Sequence, residues 1–182
     1  MDSDCRYGFI SHIFKELEKY RRYYGKIVVQ KIVYFIQEAV GIDLDYSFSF
    51  YHYGPYSEKL ERDIQLMELN NLISTSSDPK GRGYEIHLNE EEAKELIEGC
   101  SSFLKTNQKV IARVLRDFGK FKPSPLGLYA TIHFVYKDIK EQNCKSDIKG
   151  KVVNIVKKMK PKFQLSFISE SYDELVELNY IN

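Results

Sequence analysis

The sequence predicts an α+β fold, mostly helical, with a winged-helix-like N-terminal half packed against an all-helical C-terminal half. Three observations carry this. Apolar residues recur at three- and four-residue steps through most of the 182 residues. One short run, Tyr46 to Phe50, alternates apolar with small residues at the period of a strand. Two further strand-like runs flank a loop of turn-forming residues between positions 76 and 83. The order that results is helix, helix, strand, helix, hairpin over residues 1–100, with the hairpin as the wing. Residues 101–182 supply helices only, and the two halves are expected to form one compact unit.

The first helix is predicted from Gly8 to Tyr24, with Phe9, Ile13, Leu17 and Tyr20 on one face and Gly25 ending it. Lys15, Lys19, Arg21 and Arg22 gather in its second half, where cations suit the partial negative charge of a helix C-terminus. The second helix runs from about Lys26 to Val40 and closes at Gly41. The alternating strand follows, and Gly54-Pro55 is expected to stop it at a strand-to-helix corner, since proline cannot donate to a ladder. Ser57 then caps a helix carrying Leu60, Ile64 and Met67 about one turn apart. Leu72–Thr75 and Tyr84–Leu88 read as the wing, with Lys80 and Arg82 at its tip.

Asn89 and Glu92 have the spacing of a capping box before a short helix that ends near Gly99. A longer helix spans about Phe103 to Phe118. Residues 120–123 read as a linker, and Ser124-Pro125 as the start of a helix to about Gln142. Its first half is apolar nearly all round, which predicts burial. A further helix from about Asp147 to Lys160 is stopped by Pro161, with Ile148, Val152, Ile155, Val156 and Met159 as its buried face. An acidic helix from Glu170 to Leu178 ends the chain, with Ser171 and Glu174 as a second capping box.

Bulk properties narrow the function classes. Net charge is +1, so nucleic-acid or membrane binding has no global electrostatic support. Three scattered cysteines, Cys5, Cys100 and Cys144, argue against a disulfide framework and a structural zinc site. No apolar run reaches membrane-spanning length and no signal-peptide core follows the polar start, so a cytoplasmic protein is expected. The 14 tyrosines and 11 phenylalanines, with no tryptophan, suit either contact surfaces or an aromatic core.

Two blocks then carry a family likeness: Gln30-Lys31-Ile32-Val33-Tyr34-Phe35-Ile36-Gln37, and Phe50-Tyr51-His52-Tyr53-Gly54-Pro55-Tyr56-Ser57-Glu58-Lys59-Leu60. Together they resemble the Panacea (SocA-like) antitoxin superfamily, and within it the YwgA-like branch. The likeness continues weakly through Leu128–Phe134 and Lys160–Phe163. Tyr56 stands where the wider pattern usually has an aliphatic residue. The resemblance implies a non-enzymatic antitoxin or proteolytic adaptor that binds a partner protein, such as a toxin.

The candidate site residues follow. Tyr51, Tyr53, Gly54, Pro55 and Tyr56 could present rings and hydroxyls to a protein partner, or could simply build a corner. A winged helix would read DNA with the helix after Ser57, but Glu58, Glu61, Asp63 and Glu68 outnumber Lys59 and Arg62 there. The nucleic-acid alternative therefore rests on Lys80 and Arg82 of the wing with Lys149, Lys151, Lys157 and Lys158. These last four lie in a stretch carrying about +6 over residues 145–162, which is either a solvated face balanced by the acidic last helix or a patch for an anionic partner. His12, His52, His87 and His133 lie on different elements without ligand spacing, and His133 is expected as a hydrogen-bonded core residue. No metal, cofactor or catalytic motif is expected.

Overall fold

The computed structural model describes residues 1–20, 24–77, 84–142 and 147–182. It is an α+β fold, mostly helical. Helices α1 (Ser3–Tyr20) and α2 (Lys26–Tyr34) are followed by a π-helical turn, Phe35–Ala39, and by strands β1 (Ser49–Tyr51) and β2 (Gly54–Tyr56). Then come α3 (Glu58–Leu69), β3 (Ile73–Ser77), β4 (Tyr84–Leu88), α4 (Glu90–Gly99) and α5 (Ser101–Phe118). The chain finishes with α6 (Pro123–Glu141), α7 (Ile148–Met159) and α8 (Leu165–Glu177).

The alternating run is where the structure departs most from expectation. Gly54-Pro55 does not end a strand; it begins one. β1 and β2 form an antiparallel hairpin in the register Ser49↔Tyr56, Phe50↔Pro55 and Tyr51↔Gly54, around the two-residue turn His52-Tyr53. A proline is tolerated because this two-stranded sheet has open edges, where its missing N–H is not called upon. The expected single strand is thus a separate sheet, and the wing pair β3–β4 stands alone in its own.

Residues 42–48 pair with no strand, and a side chain stands in for the ladder. Gln37 donates from Nε2 to Tyr46 O (2.6 Å) and accepts from Tyr46 N at Oε1 (2.9 Å). Gln30 repeats the device two turns earlier, donating to Ser57 O (3.0 Å) and accepting from Ser57 N (2.9 Å). Two glutamines on one helix therefore satisfy the backbone on both sides of the hairpin.

Other boundaries also shift. α1 begins at Ser3, and its described span is Ser3–Tyr20. Tyr24 folds back, its hydroxyl donating to Phe14 O, while Arg21 and Arg22 lie outside the described residues. Neither proposed capping box forms. Asn89 makes no side-chain cap, and Ser171 is a buried residue inside α8, which starts at Leu165. Helix α6 starts at Pro123 after Lys122, one residue before the expected Ser124 cap. By contrast Ser57 does cap α3, accepting from Leu60 N, and Asp147 caps α7 through Gly150 N.

One hydrophobic cluster runs through both halves of the chain. α6 is at its centre, buried from Leu126 to His133 and again at Val135 and Tyr136. Phe35 stacks on Phe118 with ring centroids 4.1 Å apart, and Tyr180 closes on both rings. Cys5 and Cys100 are joined as a disulfide, Cα atoms 4.7 Å apart, against the expectation from their spacing. They meet because α1 and α4 pack closely: a Cβ on Gly8 would lie 2.2 Å from Leu96 O. Among the described residues, no helix is long and apolar enough to cross a membrane.

Candidate functional site

The residues predicted to bind a partner protein lie on the β1–β2 hairpin, and the support beneath it explains its shape. From α2, Lys31 reaches up through the core and donates from Nζ to Pro55 O (2.7 Å). From the end of α7, Lys160 donates to His52 O (2.9 Å) and lies 5.5 Å from the centroid of the Phe50 ring. Gln30 holds Ser57. From α6, Gly127 allows the hairpin backbone to lie directly on the helix: a Cβ there would stand 2.7 Å from Tyr53 O. Gly54 completes the contact, with φ +104° and an imagined Cβ only 2.8 Å from Thr131 Oγ1. Thr131 Oγ1 is itself held, donating to Gly127 O (2.6 Å).

On its outer side the hairpin is aromatic and open. Tyr53 is 58% exposed, Tyr51 54% and Phe50 36%. Tyr56 is half-buried and packs against Tyr51, with centroids 5.3 Å apart. Gly54 and Pro55 are buried and belong to the support, not to the presented surface. The five predicted residues are therefore together, but divided between two roles: three rings to present and two residues to place them.

Two hollows flank the rings. A cavity of about 170 Å³ is lined by Ile27, Gln30, Lys31, Tyr51, Tyr53, Gly54 and Tyr56, together with Lys26 and Glu61. Lys26 and Glu61 are paired at 2.6 Å. A wider hollow of about 340 Å³ lies beyond Tyr51, Tyr56 and Glu61, towards Ser49, Glu58, Arg62 and Gln65.

The electrostatics below the hairpin are unusual. Lys31 is 2% exposed and Lys160 8%. Burial, helped by the Lys160 charge, lowers the Lys31 amine to about 7. Burial also lowers Lys160, with Lys162 adding to the effect. Deeper in, the Tyr34 hydroxyl and His133 Nδ1 share a hydrogen bond of 2.8 Å, and burial lowers His133 to about 4, keeping the imidazole neutral. His133 is thus the hydrogen-bonded core residue that the sequence predicts.

The four described nucleic-acid candidates all lie on α7. Lys80 and Arg82 lie outside the described residues. Lys149 is paired with Asp173 (2.7 Å), and Lys157 donates to Pro161 O and Phe163 O (2.8 Å each). Lys151 and Lys158 are exposed on α7. Val153, not Ile155, joins the buried face of α7; Ile155 is 40% exposed. On α3 the expected acidic face also changes. Asp63 is buried, accepting from Arg6 Nε (2.9 Å) and the Tyr46 hydroxyl (2.8 Å).

No catalytic arrangement accompanies these groups among the described residues. Ser76 Oγ and His87 Nε2 meet at 3.0 Å on the wing, but no third group orients the ring. No cluster of three His, Cys, Asp or Glu there could hold a metal.

Sequence reasoning found the rings and missed Lys31, Gln30, Lys160 and Gly127 as their support. The signal was a lysine and a glutamine set within an otherwise apolar helix. The four stretches singled out in the sequence, at 30–37, 50–60, 128–134 and 160–163, meet at this hairpin through Lys31, the hairpin itself, Thr131 and Lys160. In comparisons with known proteins, no family model matches the chain, and neither does any curated protein.

Proposed function

We propose that this protein is a non-enzymatic interaction module that docks the β1–β2 hairpin on a partner protein and masks part of its surface, as an antitoxin or adaptor does. The observation that carries this is an exposed set of aromatic rings on a rigidly supported hairpin. Large rings are expensive to leave in water, and tyrosines are common anchors of protein interfaces. A pre-shaped hairpin loses little conformational freedom on binding, which favours affinity. The meeting of the resembling stretches at this one place supports reading the Panacea likeness here. A toxin is the partner that likeness suggests, and the cytoplasm is the setting.

The nucleic-acid reading has less support. Lys149 and Lys157, two of its candidates on α7, are engaged within the fold.

The test is capture of partners from native cells by the wild type and by Tyr51→Ala, Tyr53→Ala and Tyr56→Ala. A specific protein retained by the wild type should lose about 2 kcal/mol of affinity with Tyr51→Ala or Tyr53→Ala. Since both rings are largely exposed, melting should be almost unchanged. Equal retention by all four proteins would exclude the hairpin as the docking surface.

A further inference from the structure

Beneath the rings lies a charge arrangement that docking does not use. Lys31 and Lys160 are both buried, and each spends one hydrogen bond on a hairpin carbonyl. Among the described residues no carboxylate stands within ion-pair distance of either. The one charge felt at Lys31 besides its own burial is another cation, Lys160. A buried ammonium without a counter-ion is costly, and Lys31 has two further N–H groups beyond the one given to Pro55 O. Lys31 also forms part of the wall of the 170 Å³ cavity, whose other walls are largely apolar. An apolar cavity of about 150 Å³ holds one benzene ring.

We propose that this cavity is a binding site for a small carboxylate carrying a single aromatic or branched apolar group. The carboxylate completes the bonding of Lys31, and the apolar group lies against Ile27, Tyr51, Tyr53 and Tyr56. A singly charged acid fits better than a phosphate dianion, because Lys26 is already neutralised by Glu61 and Glu58 stands nearby on α3. The site shares the hairpin with the docking proposal but does not rest on it.

Binding is coupled to a proton. The groups that face Lys31 are Lys160 from α7, Lys26 on its own helix, Glu61 from α3 and the tyrosines of the hairpin. With its amine lowered to about 7, Lys31 is only part-charged at neutral pH. An anion binds the protonated form, so affinity is steady between about pH 5 and 6 and falls by up to about tenfold per pH unit above 7; below about pH 5 the ligand's own carboxyl takes up a proton and binding weakens.

The probes are 3-phenylpropionate and its uncharged analogue 3-phenylpropan-1-ol, titrated into the full chain by calorimetry. An N-acetylated dipeptide ending in phenylalanine, as free acid and as amide, tells a chain terminus from a free acid as the source. The expected result is saturable binding of at least one carboxylate, with its uncharged analogue about tenfold or more weaker. Lys31→Met should weaken binding about as much. Ile27→Trp, which fills the cavity and keeps Lys31, should abolish it, and serves if Lys31→Met fails to fold. Overturning results are no saturable binding by any probe, equal binding of acid and analogue, or full affinity in a folded Lys31→Met or Ile27→Trp. Since the docking test reads Tyr51 and Tyr53 with a protein partner, either idea can fail alone.

Discussion

Gly54 meets two demands at once. Its φ of +104° disfavours any side chain, and a Cβ would collide with Thr131 and with Gly127 O. Gly54→Val should therefore destabilise by about 3 kcal/mol or more, combining backbone strain with overpacking. Urea midpoints check this, and an unchanged midpoint would contradict the close contact. His133 makes a second, pH-dependent test. Its folded-state value is about 4, below the ordinary 6.5, so the unfolded chain binds the proton more readily. Stability is unaffected above pH 6.5 and is lost as pH falls from 6.5 to 4, by up to about 3 kcal/mol. His133→Gln, whose amide can donate to or accept from the Tyr34 hydroxyl, should remove that part of the acid sensitivity. The difference between wild type and variant across pH 7.5 to 4.5 isolates it from the carboxylates.

At the scale of elements, the hairpin is held by α2, α6 and the end of α7 without belonging to a larger sheet. Its own ladder is only three residues long on each side, and a lone hairpin of that size is marginal in water. Its order therefore depends on Gln30, Lys31, Lys160 and the bare face of α6. Gly127→Ala should push the hairpin away from α6 at a cost of about 1–3 kcal/mol. Hydrogen exchange at Tyr51 and Tyr56 should quicken while exchange in α1 and α5 stays as it was. Uniform change across all elements would mean that the contact is part of the global core instead.

For the whole molecule, the Cys5–Cys100 disulfide spans 95 positions and ties the start of α1 to the α4–α5 junction. Closing so long a loop restricts the unfolded chain by roughly 4–5 kcal/mol in the loop-entropy account. Reduction, or Cys100→Ala, should lower the melting temperature by several degrees or more, and reductant should have no effect on the alanine variant. In the cytoplasmic setting proposed above the pair would be held reduced, so the bond is one for oxidising conditions. Equal melting with and without reductant would mean that the two cysteines pack as thiols.

Helix positions and the central core were legible in the residues. Leu60, Ile64 and Met67 are buried as their spacing requires, Ser57 caps its helix, and α6 is buried as an all-round apolar helix must be. These depend on neighbours one turn away, which a linear pattern records. Local periodicity did not show that Gly54-Pro55 opens a strand, that Gln37 stands in for a ladder, or that Cys5 meets Cys100. Each of these is fixed by a partner far along the chain: Phe50 reads as a strand residue either way until Pro55 is placed opposite it. Lys31 shows the limit most clearly. Lysines are rarely buried without a partner, and it is the packing of α2 beneath a hairpin, with Lys160 arriving from 129 positions later, that buries this one and lowers its affinity for a proton.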